Sequence, residues 1–263
     1  YIKNQKSFHR GALLDIGYAV SRTLNRDTPQ GTSPYVVNEM GRRGNFYANS
    51  RRDASREQVI VNGYLPTFTW AGTHQLKLGG DFLWLGDDQK VVRSGIYYED
   101  VASRLLRSVL FYGSGALGQA NQEGSMYVQD AWRVRPNLLL ELGLRGQRNG
   151  LLDGWNLSPR LGFAWSPPGW ELTRISGGVA RVYDNTNLRT FTRPGDQYSA
   201  STFYNAAGVA GGPELSIYRI PAGRLRAPES VNFNLGIERT LLHRLVGQAQ
   251  WLFRRGNAGF SYL

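Results

Sequence analysis

The chain of 263 residues contains no cysteine, two methionines, three histidines and no long apolar run. The absence of cysteine excludes a disulfide scaffold, a thiolate zinc site and a cysteine nucleophile. The longest apolar runs, such as residues 138–140, fall far short of the roughly 18–20 residues of a membrane-spanning helix. His9, His74 and His243 lie far apart, without the spacing of metal ligands. We therefore predict neither a metal site nor a cofactor.

Lysine is also scarce, so that arginine carries most of the positive charge. The chain has 31 Lys+Arg against 20 Asp+Glu, a net charge of +11, and only four of the 31 are lysines. A basic excess of this size is typical of nucleic-acid-binding proteins. The arginines are scattered along the chain instead of forming one stripe. We therefore predict no nucleic-acid partner, and a soluble basic β-domain that binds nucleic acid is kept as an alternative.

The abundant feature is an alternation of apolar and polar residues with a period of two. An apolar face against lipid or a core and a polar face against water produce this pattern in β-strands. It predicts about nine strands, several of about ten residues or more, against a mean of roughly 5–6 residues in globular domains. The clearest strands are residues 12–20, 76–84, 138–145, 157–165 and 231–238, and the weaker ones are residues 59–70, 126–134, 172–182 and 245–253.

The connections alternate between short and long. Tight turns rich in Gly, Pro or Asn lie at residues 70–73, 135–137 and 167–170, with a further one at 241–243. Long polar loops are expected at about residues 25–56, 87–123 and 184–229. Loops longer than about 12–15 residues are uncommon in compact soluble domains. Short turns at one end and long loops at the other predict an all-β fold, an antiparallel up-and-down transmembrane β-barrel segment of about 9–10 strands.

Four tryptophans lie beside successive tight turns, namely Trp70, Trp132, Trp165 and Trp170. Indole rings prefer the boundary between the membrane and water, so we predict that these four form an interfacial girdle. The alternative is a soluble β-sandwich whose end they plug, which does not explain four equivalent positions.

The parity also predicts which side chains face lipid and which face the lumen. The apolar positions of the alternation include Leu161, Phe163, Leu235 and Ile237. The polar positions include Arg160, Asn234 and Glu238. We expect the first set to face lipid and the second to face the lumen.

Residues 127–138, 140–145 and 157–164, together with 74–82, carry a recognisable strand-and-turn signature. It resembles the β-barrel of TonB-dependent outer-membrane receptors, in particular the Oar-like group that has an N-terminal carboxypeptidase-regulatory-like domain. The similarity covers most of residues 57–254.

This resemblance implies a 22-stranded barrel around an N-terminal plug, in the outer membrane of a Gram-negative bacterium. Such a receptor imports a scarce ligand with energy passed on by TonB. No plug or TonB-contacting segment is recognisable in residues 1–263. We therefore expect these residues to form a partial barrel, with TonB contacted through a missing N-terminal part.

The first and third long loops combine arginine with aromatic residues. Guanidinium groups pair well with phosphate and carboxylate, and binding residues gather on loops held by a rigid scaffold. We predict ligand contact here by Arg42, Arg43 and Tyr47 in the first loop and by Arg189, Phe191 and Arg193 in the third. The alternative is simple solvated charge.

The outer surface is expected to contact lipid and lipopolysaccharide, and the cargo is an unidentified small molecule, glycan or peptide. We predict no enzymatic activity. Asp87-Asp88 and Glu99-Asp100 are carboxylate pairs, but they lie at the ends of a long loop, where solvated turn residues are the simpler interpretation. An outer-membrane enzyme or a porin is kept as an alternative.

Overall fold

The computed structural model describes residues 1–152, 154–170, 172–184, 188–191, 197–217, 225–242 and 245–259. The structure in these residues is almost entirely β-strand, with two short 3₁₀ helices at His9–Gly11 and Leu188–Phe191. The strands are β1 (Ile2–Ser7), β2 (Leu13–Asp27), β3 (Tyr35–Asn38), β4 (Gly41–Arg43), β5 (Ala48–Tyr64), β6 (Phe68–Thr69), β7 (Thr73–Arg93), β8 (Ile96–Glu99), β9 (Leu105–Tyr112), β10 (Ala116–Arg135), β11 (Leu138–Asn149), β12 (Trp155–Trp165), β13 (Thr173–Tyr183), β14 (Tyr198–Phe203), β15 (Glu214–Ile217), β16 (Glu229–Leu242) and β17 (Leu245–Asn257).

The larger sheet, here called the wall sheet, is a meander. Its strand order is β1-β2-β5-β7-β10-β11-β12-β13-β16-β17, with the short β6 attached beside β7, and all neighbours are antiparallel. This order confirms the predicted antiparallel segment of about 9–10 strands. The sheet does not close on itself, since β1 and β17 form its two edges.

Among the described residues, no helix has the length and apolarity needed to span a membrane.

The register of the wall sheet separates an apolar face from a polar one. Leu161 of β12 lies opposite Val179 of β13, which lies opposite Phe233 of β16. Along β16, Leu235 follows on the same face and is 50% exposed. A large apolar surface left open to this extent suits lipid contact. We call it the outer face.

Gly177 makes room on the outer face for a neighbouring ring. A Cβ added at Gly177 would lie 2.9 Å from the ring of Phe163, its cross-strand partner, and 2.9 Å from the Asn234 carbonyl oxygen. A side chain at position 177 would therefore displace the aromatic ring or the backbone. Glycine within a strand commonly marks such a close approach.

The strands are longer than a membrane crossing requires. A crossing takes about 9–11 residues, whereas β5 has 17, β7 has 21 and β10 has 20. The predicted loop bounds of 25–56 and 87–123 were therefore too wide, because the strands continue to Asp27 and Arg93 and resume at Ala48 and Ala116. Beyond the membrane both faces of a strand meet water, so the alternation that identifies a strand is lost. The third connection runs from Tyr183, the last residue of β13, to Glu229, the first residue of β16.

The three long connections form a second sheet, here called the loop sheet. Its order is β15-β14-β9-β8-β3-β4, and its one parallel pairing joins β3 to β8. Each connection contributes two strands. The sequence predicted polar loops and gave no indication of this sheet.

Few apolar side chains are buried in the described part of the chain. Leu152, Phe191 and Ala227 form one cluster, against which Leu151, Tyr183 and Leu225 pack. A soluble β-sandwich would enclose an apolar layer between two sheets. The wall sheet instead leaves its apolar face open, so the β-sandwich alternative is wrong.

Candidate functional site

Polar contacts tie the three connections of the loop sheet to one another. Arg43 of the first connection forms an ion pair with Glu99 of the second. Arg107 of the second donates from Nη2 to Ser201 Oγ of the third, at 2.8 Å. Gln197 donates from Nε2 to the Val91 carbonyl oxygen of β7, at 3.3 Å. The connections therefore form one unit that is anchored on the wall sheet.

Aromatic rings gather where the first and second connections meet. Tyr47 stacks on Phe111, with ring centroids 5.8 Å apart and an interplanar angle of 13°. Tyr47 also contacts Tyr35 at 5.4 Å and Phe46 at 4.8 Å. The guanidinium of Arg93 lies 5.1 Å from the centroid of Phe111. Phe46 is 53% exposed, so this cluster offers an open ring for stacking.

Arg107 occupies the centre of the loop sheet between two rings. Its guanidinium lies 5.3 Å from the centroid of Tyr98 and 5.2 Å from that of Phe203. Cation–π contacts of this kind are worth roughly 0.5–2 kcal/mol each. Arg107 is not predictable as a site residue from the sequence, because its position depends on the pairing of β8, β9 and β14, which no local pattern indicates.

The predicted residues of the first loop lie in or beside the loop sheet. Arg42 and Arg43 lie in β4 and are exposed. Arg43 is held by Glu99, whereas Arg42 has no ion pair within the described residues. Tyr47 is half-buried in the aromatic cluster, directly before β5.

Of the predicted residues of the third loop, only Phe191 has a described side chain. Arg193 and the side chain of Arg189 lie outside the described residues. Phe191 is only 6% exposed and packs against Leu152 and Ala227. The expectation that Phe191 offers a stacking surface therefore does not match its buried position. The apolar side chains that enclose Phe191 come from parts of the chain that are distant from it in the sequence.

The adjacent carboxylates of the second loop are engaged separately. Glu99 binds Arg43, while Asp100 accepts backbone N–H groups of Ala102 at 2.9 Å and Arg104 at 2.8 Å. Asp100 also pairs with Arg104 Nε at 2.7 Å. The hydrogen bond from the Arg104 backbone is the main cause that lowers the pKa of Asp100, and its side chain adds to the effect. Each carboxylate thus organises a turn or a loop contact.

The polar face of the wall sheet lines the lumen. Lys77 lies between the rings of Tyr64 and Tyr127, at 5.0 Å and 5.5 Å from their centroids. Tyr127 donates its hydroxyl to Asn62 Oδ1 at 2.5 Å. Arg160, predicted to face the lumen, donates to Gln129 on this same face.

Asp87 is the most deeply buried carboxylate of this face, at 1% exposure. Arg52 Nε lies 2.9 Å from each of its oxygens, and the Arg52 Nη2 donates to one of them. The pair sits where β5 and β7 rise toward the loop sheet. The interpretation of Asp87 as a solvated turn residue is wrong, because β7 continues to Arg93 and Asp87 is buried within it.

Replacing Arg52 by glutamine should destabilise this region by roughly 3–5 kcal/mol, because a buried carboxylate would lose its cation. Arg22→Gln is the control, since Arg22 of β2 pairs with Asp53 of β5 on the adjoining strand pair, but its side chain is 74% exposed. An exposed pair contributes about 0–1 kcal/mol. Urea unfolding of the full-length protein in detergent measures both variants. Equal midpoints for the two would contradict this view of the Asp87 site.

The opposite end of the wall sheet carries the four tryptophans. Trp132 stacks on His74 at 5.3 Å, and His74 stacks on Phe68 at 5.0 Å. His74 Nδ1 lies 2.6 Å from Asp130 Oδ2, and Nε2 lies 2.8 Å from the Trp70 carbonyl oxygen. Trp70, Trp165 and Trp170 are 73%, 38% and 54% exposed. All four lie at the end with the tight turns.

No set of three or more metal-ligating side chains converges within the described residues.

The wall sheet has one open apolar face and one polar face. It carries tryptophans at the end with the short turns and long connections at the other end, and this combination defines the wall of an outer-membrane β-barrel. The family model of the TonB-dependent receptor-like β-barrel matches residues 4–262. The chain therefore belongs to this family, which confirms the predicted family and the location in the Gram-negative outer membrane. The assignment to the Oar-like group stays a prediction.

Solved structures with the same fold are outer-membrane transporters and receptors. The outer membrane transporter YddB from Escherichia coli aligns with a TM-score of 0.68 at 16% identity, over 96% of this chain and 33% of that one. The siderophore receptor PirA from Acinetobacter baumannii aligns with a TM-score of 0.61 at 17% identity, over 95% and 33%. The G324V mutant of the ferric enterobactin receptor PfeA from Pseudomonas aeruginosa gives 0.57 at 17%, over 97% and 33%.

The chain thus spans about a third of the length of these structures. No curated protein matches it.

Proposed function

We propose that the protein containing this chain takes up a ligand across the outer membrane, and that the loop sheet is its first contact. The observation that supports this proposal is the joining of all three long connections into one sheet above a polar lumen wall. A preformed surface loses less conformational entropy on binding than three independent loops would. TonB acts on the receptor through the part of the protein that precedes this wall segment.

The ligand we propose is an anionic or polyhydroxylated molecule. Arg42 offers an exposed guanidinium, and Phe46 and Tyr47 offer rings beside it in the sequence. Guanidinium groups make charge-assisted hydrogen bonds to carboxylate or phosphate, and aromatic faces stack on planar or sugar groups. Arg189 and Arg193 belong to the same proposal, as further cations of the third connection.

Uptake is tested with the full-length protein in cells that carry or lack TonB. Fractionated culture supernatant supplies candidate ligands, and native mass spectrometry of the purified receptor identifies those that bind. We expect the bound compound to accumulate only in cells with TonB. Accumulation without TonB would indicate a porin, and turnover of the compound by the purified protein would indicate an enzyme.

Arg42→Gln should weaken binding of that compound at least tenfold, since a charge-assisted hydrogen bond is worth roughly 1.5–3 kcal/mol. The matched control is Arg135→Gln. Arg135 is exposed and is the last residue of β10, at the short-turn end of the wall sheet, far from the loop sheet. Titration of the purified full-length receptor measures both. Equal affinities for the two variants would remove Arg42 from the site.

A further inference from the structure

One buried histidine joins the short connection between β5 and β7 to the neighbouring strand β10. His74 is 6% exposed, and its ring lies between those of Phe68 and Trp132, with centroids 5.0 Å and 5.3 Å away. Both aromatic rings are nearly parallel to the imidazole, at 10° and 13°. We call Phe68, Trp70, His74, Asp130 and Trp132 the histidine clamp.

Each ring nitrogen of His74 faces a hydrogen-bond acceptor. Nδ1 lies 2.6 Å from Asp130 Oδ2, and Nε2 lies 2.8 Å from the Trp70 carbonyl oxygen. A neutral imidazole carries a single N–H, so one of its nitrogens would direct a lone pair at an acceptor, whereas an imidazolium donates from both nitrogens. The geometry therefore matches the protonated ring.

The surroundings of His74 also favour a positive charge. A buried charge persists where it is paired, and the Asp130 carboxylate, whose side chain is 16% exposed, supplies the opposite charge. The faces of the Phe68 and Trp132 rings add cation–π attraction. Asp130 Oδ1 is buried without a hydrogen-bond partner, so His74 provides the hydrogen bond that this carboxylate receives within the described residues.

Asp130 is the one ionisable side chain that contacts His74 in the part of the chain that the structure describes. The segment between β5 and β7 contains no ionisable side chain. On β5, β7 and β10, the neighbouring ionisable side chains of Tyr64, Lys77 and Arg133 occupy positions that face the lumen. The protonation of His74 is therefore coupled to Asp130 and to no other side chain of these strands.

We propose that the histidine clamp is a pH-sensitive switch, which holds the connection between β5 and β7 against β10 while His74 is protonated. Loss of the proton leaves one ring nitrogen with nothing to donate and leaves the buried Asp130 carboxylate without its counter-charge, so the clamp opens. The short turns of outer-membrane barrels face the periplasm, and the switch therefore responds to the pH of that compartment. The cargo site lies at the opposite end of the wall sheet and is independent of it.

The direction of the pH dependence follows from proton binding. The closed clamp binds the proton more tightly than the open connection does, because only the closed form places two acceptors beside the ring. An imidazole in an open segment loses its proton near about pH 6.5. The clamp is therefore fully closed below that pH and opens as the pH rises above it, with one proton changing the opening equilibrium by at most about tenfold per pH unit.

The experiment uses the full-length receptor in lipid bilayers and measures hydrogen exchange of residues 65–72, corrected for the intrinsic exchange rate at each pH. We expect opening of this connection to increase at least tenfold between about pH 6 and about pH 9. In H74Q and D130N the increase should fall below threefold. The matched control is H9Q, since His9 is an exposed histidine at the same end of the wall sheet, and it should keep the full increase.

Solid-state NMR of the receptor labelled with ¹⁵N-histidine observes the ring directly. The signals of His74 are those that H74Q lacks. We expect both ring nitrogens to carry protons at about pH 6, where the clamp is closed. One of them should lose its proton over the same pH range in which the opening increases.

An unprotonated ring nitrogen of His74 at about pH 6 would overturn the proposal, because the closed clamp requires both protons. A tenfold increase retained in H74Q, or an equal loss of pH dependence in H9Q, would overturn it too. Heat-dependent gel migration reports whether each variant is folded. If H74Q and D130N fail to fold, magnetisation transfer from labelled tryptophan identifies His74 in the unmodified protein, since it stacks on Trp132. Opening that does not follow deprotonation of that ring would then refute the switch.

Discussion

Leu235→Arg should block assembly of the full-length barrel, while Asn234→Arg should leave assembly intact. Leu235 lies in β16 on the outer face, opposite Gly177 and Trp251, whereas Asn234 faces the lumen opposite Gly178. An arginine at the lipid-facing midplane of a barrel costs roughly 2–4 kcal/mol, and a lumen position accepts it in water at much lower cost. The two substitutions differ by one position and add the same side chain.

Heat-dependent gel migration and protease protection of outer-membrane fractions measure this assembly. We expect folded Asn234→Arg protein at wild-type levels and little folded Leu235→Arg protein. If both variants assembled equally well, the assignment of the two faces would be reversed or lipid would not cover this surface.

Deleting residues 186–227 from the full-length receptor should abolish uptake and leave membrane insertion intact. The ends of the third connection already meet, since the Asp184 N–H donates to the Pro228 carbonyl oxygen at 2.9 Å. A short Gly-Ser linker can therefore join β13 to β16 without disturbing the wall sheet. The deletion removes β14 and β15. Because β14 pairs with β9 along six residue pairs, its loss leaves β9 as an unpaired edge of the loop sheet.

The matched control for this deletion is the removal of Glu214–Ile217 alone. This segment is β15, the edge strand of the loop sheet, and its described pairing is with β14. We expect the control to retain most of the uptake, measured with the compound identified by mass spectrometry. Full uptake after the larger deletion would move the ligand site to the lumen wall or to another part of the protein.

The sequence predicts the wall sheet well because lipid and water impose different side chains on its two faces. The residues of β12 and β16 alternate cleanly, and those of β11 alternate from Leu138 to Leu144 apart from Leu139, so their strands and faces follow from a period of two. The tight turns and the tryptophans then locate one membrane boundary. These signals are local in the sequence, and they are strong because the membrane requires apolar side chains on one face of every strand.

The loop sheet escaped prediction for the opposite reason. Its strands β3 and β8 have four residues each and pair in parallel across about sixty positions of sequence. Both of its faces carry polar as well as aromatic residues, so no alternation distinguishes it from irregular loop. Pairing of this kind is decided by the neighbouring strands, which a single segment does not reveal.

The candidate site was predicted only in part for similar reasons. Arg42 and Arg43 were identified by residue type and lie on the exposed edge strand of the loop sheet. Phe191 was identified in the same way but is buried, because distant residues of the chain enclose it. Residue type predicts what chemistry a side chain offers, while its exposure depends on contacts that form only in the folded chain.

The loop sheet also limits how the ligand preference of this receptor can be altered. Since β9 lies between β8 and β14, exchanging one connection for that of another receptor would break hydrogen-bonded ladders with the remaining two. Grafting a single segment would therefore yield an unpaired strand instead of a new specificity. New preferences are accessible through side-chain replacement on the existing strands, or through transplantation of all three segments as a set.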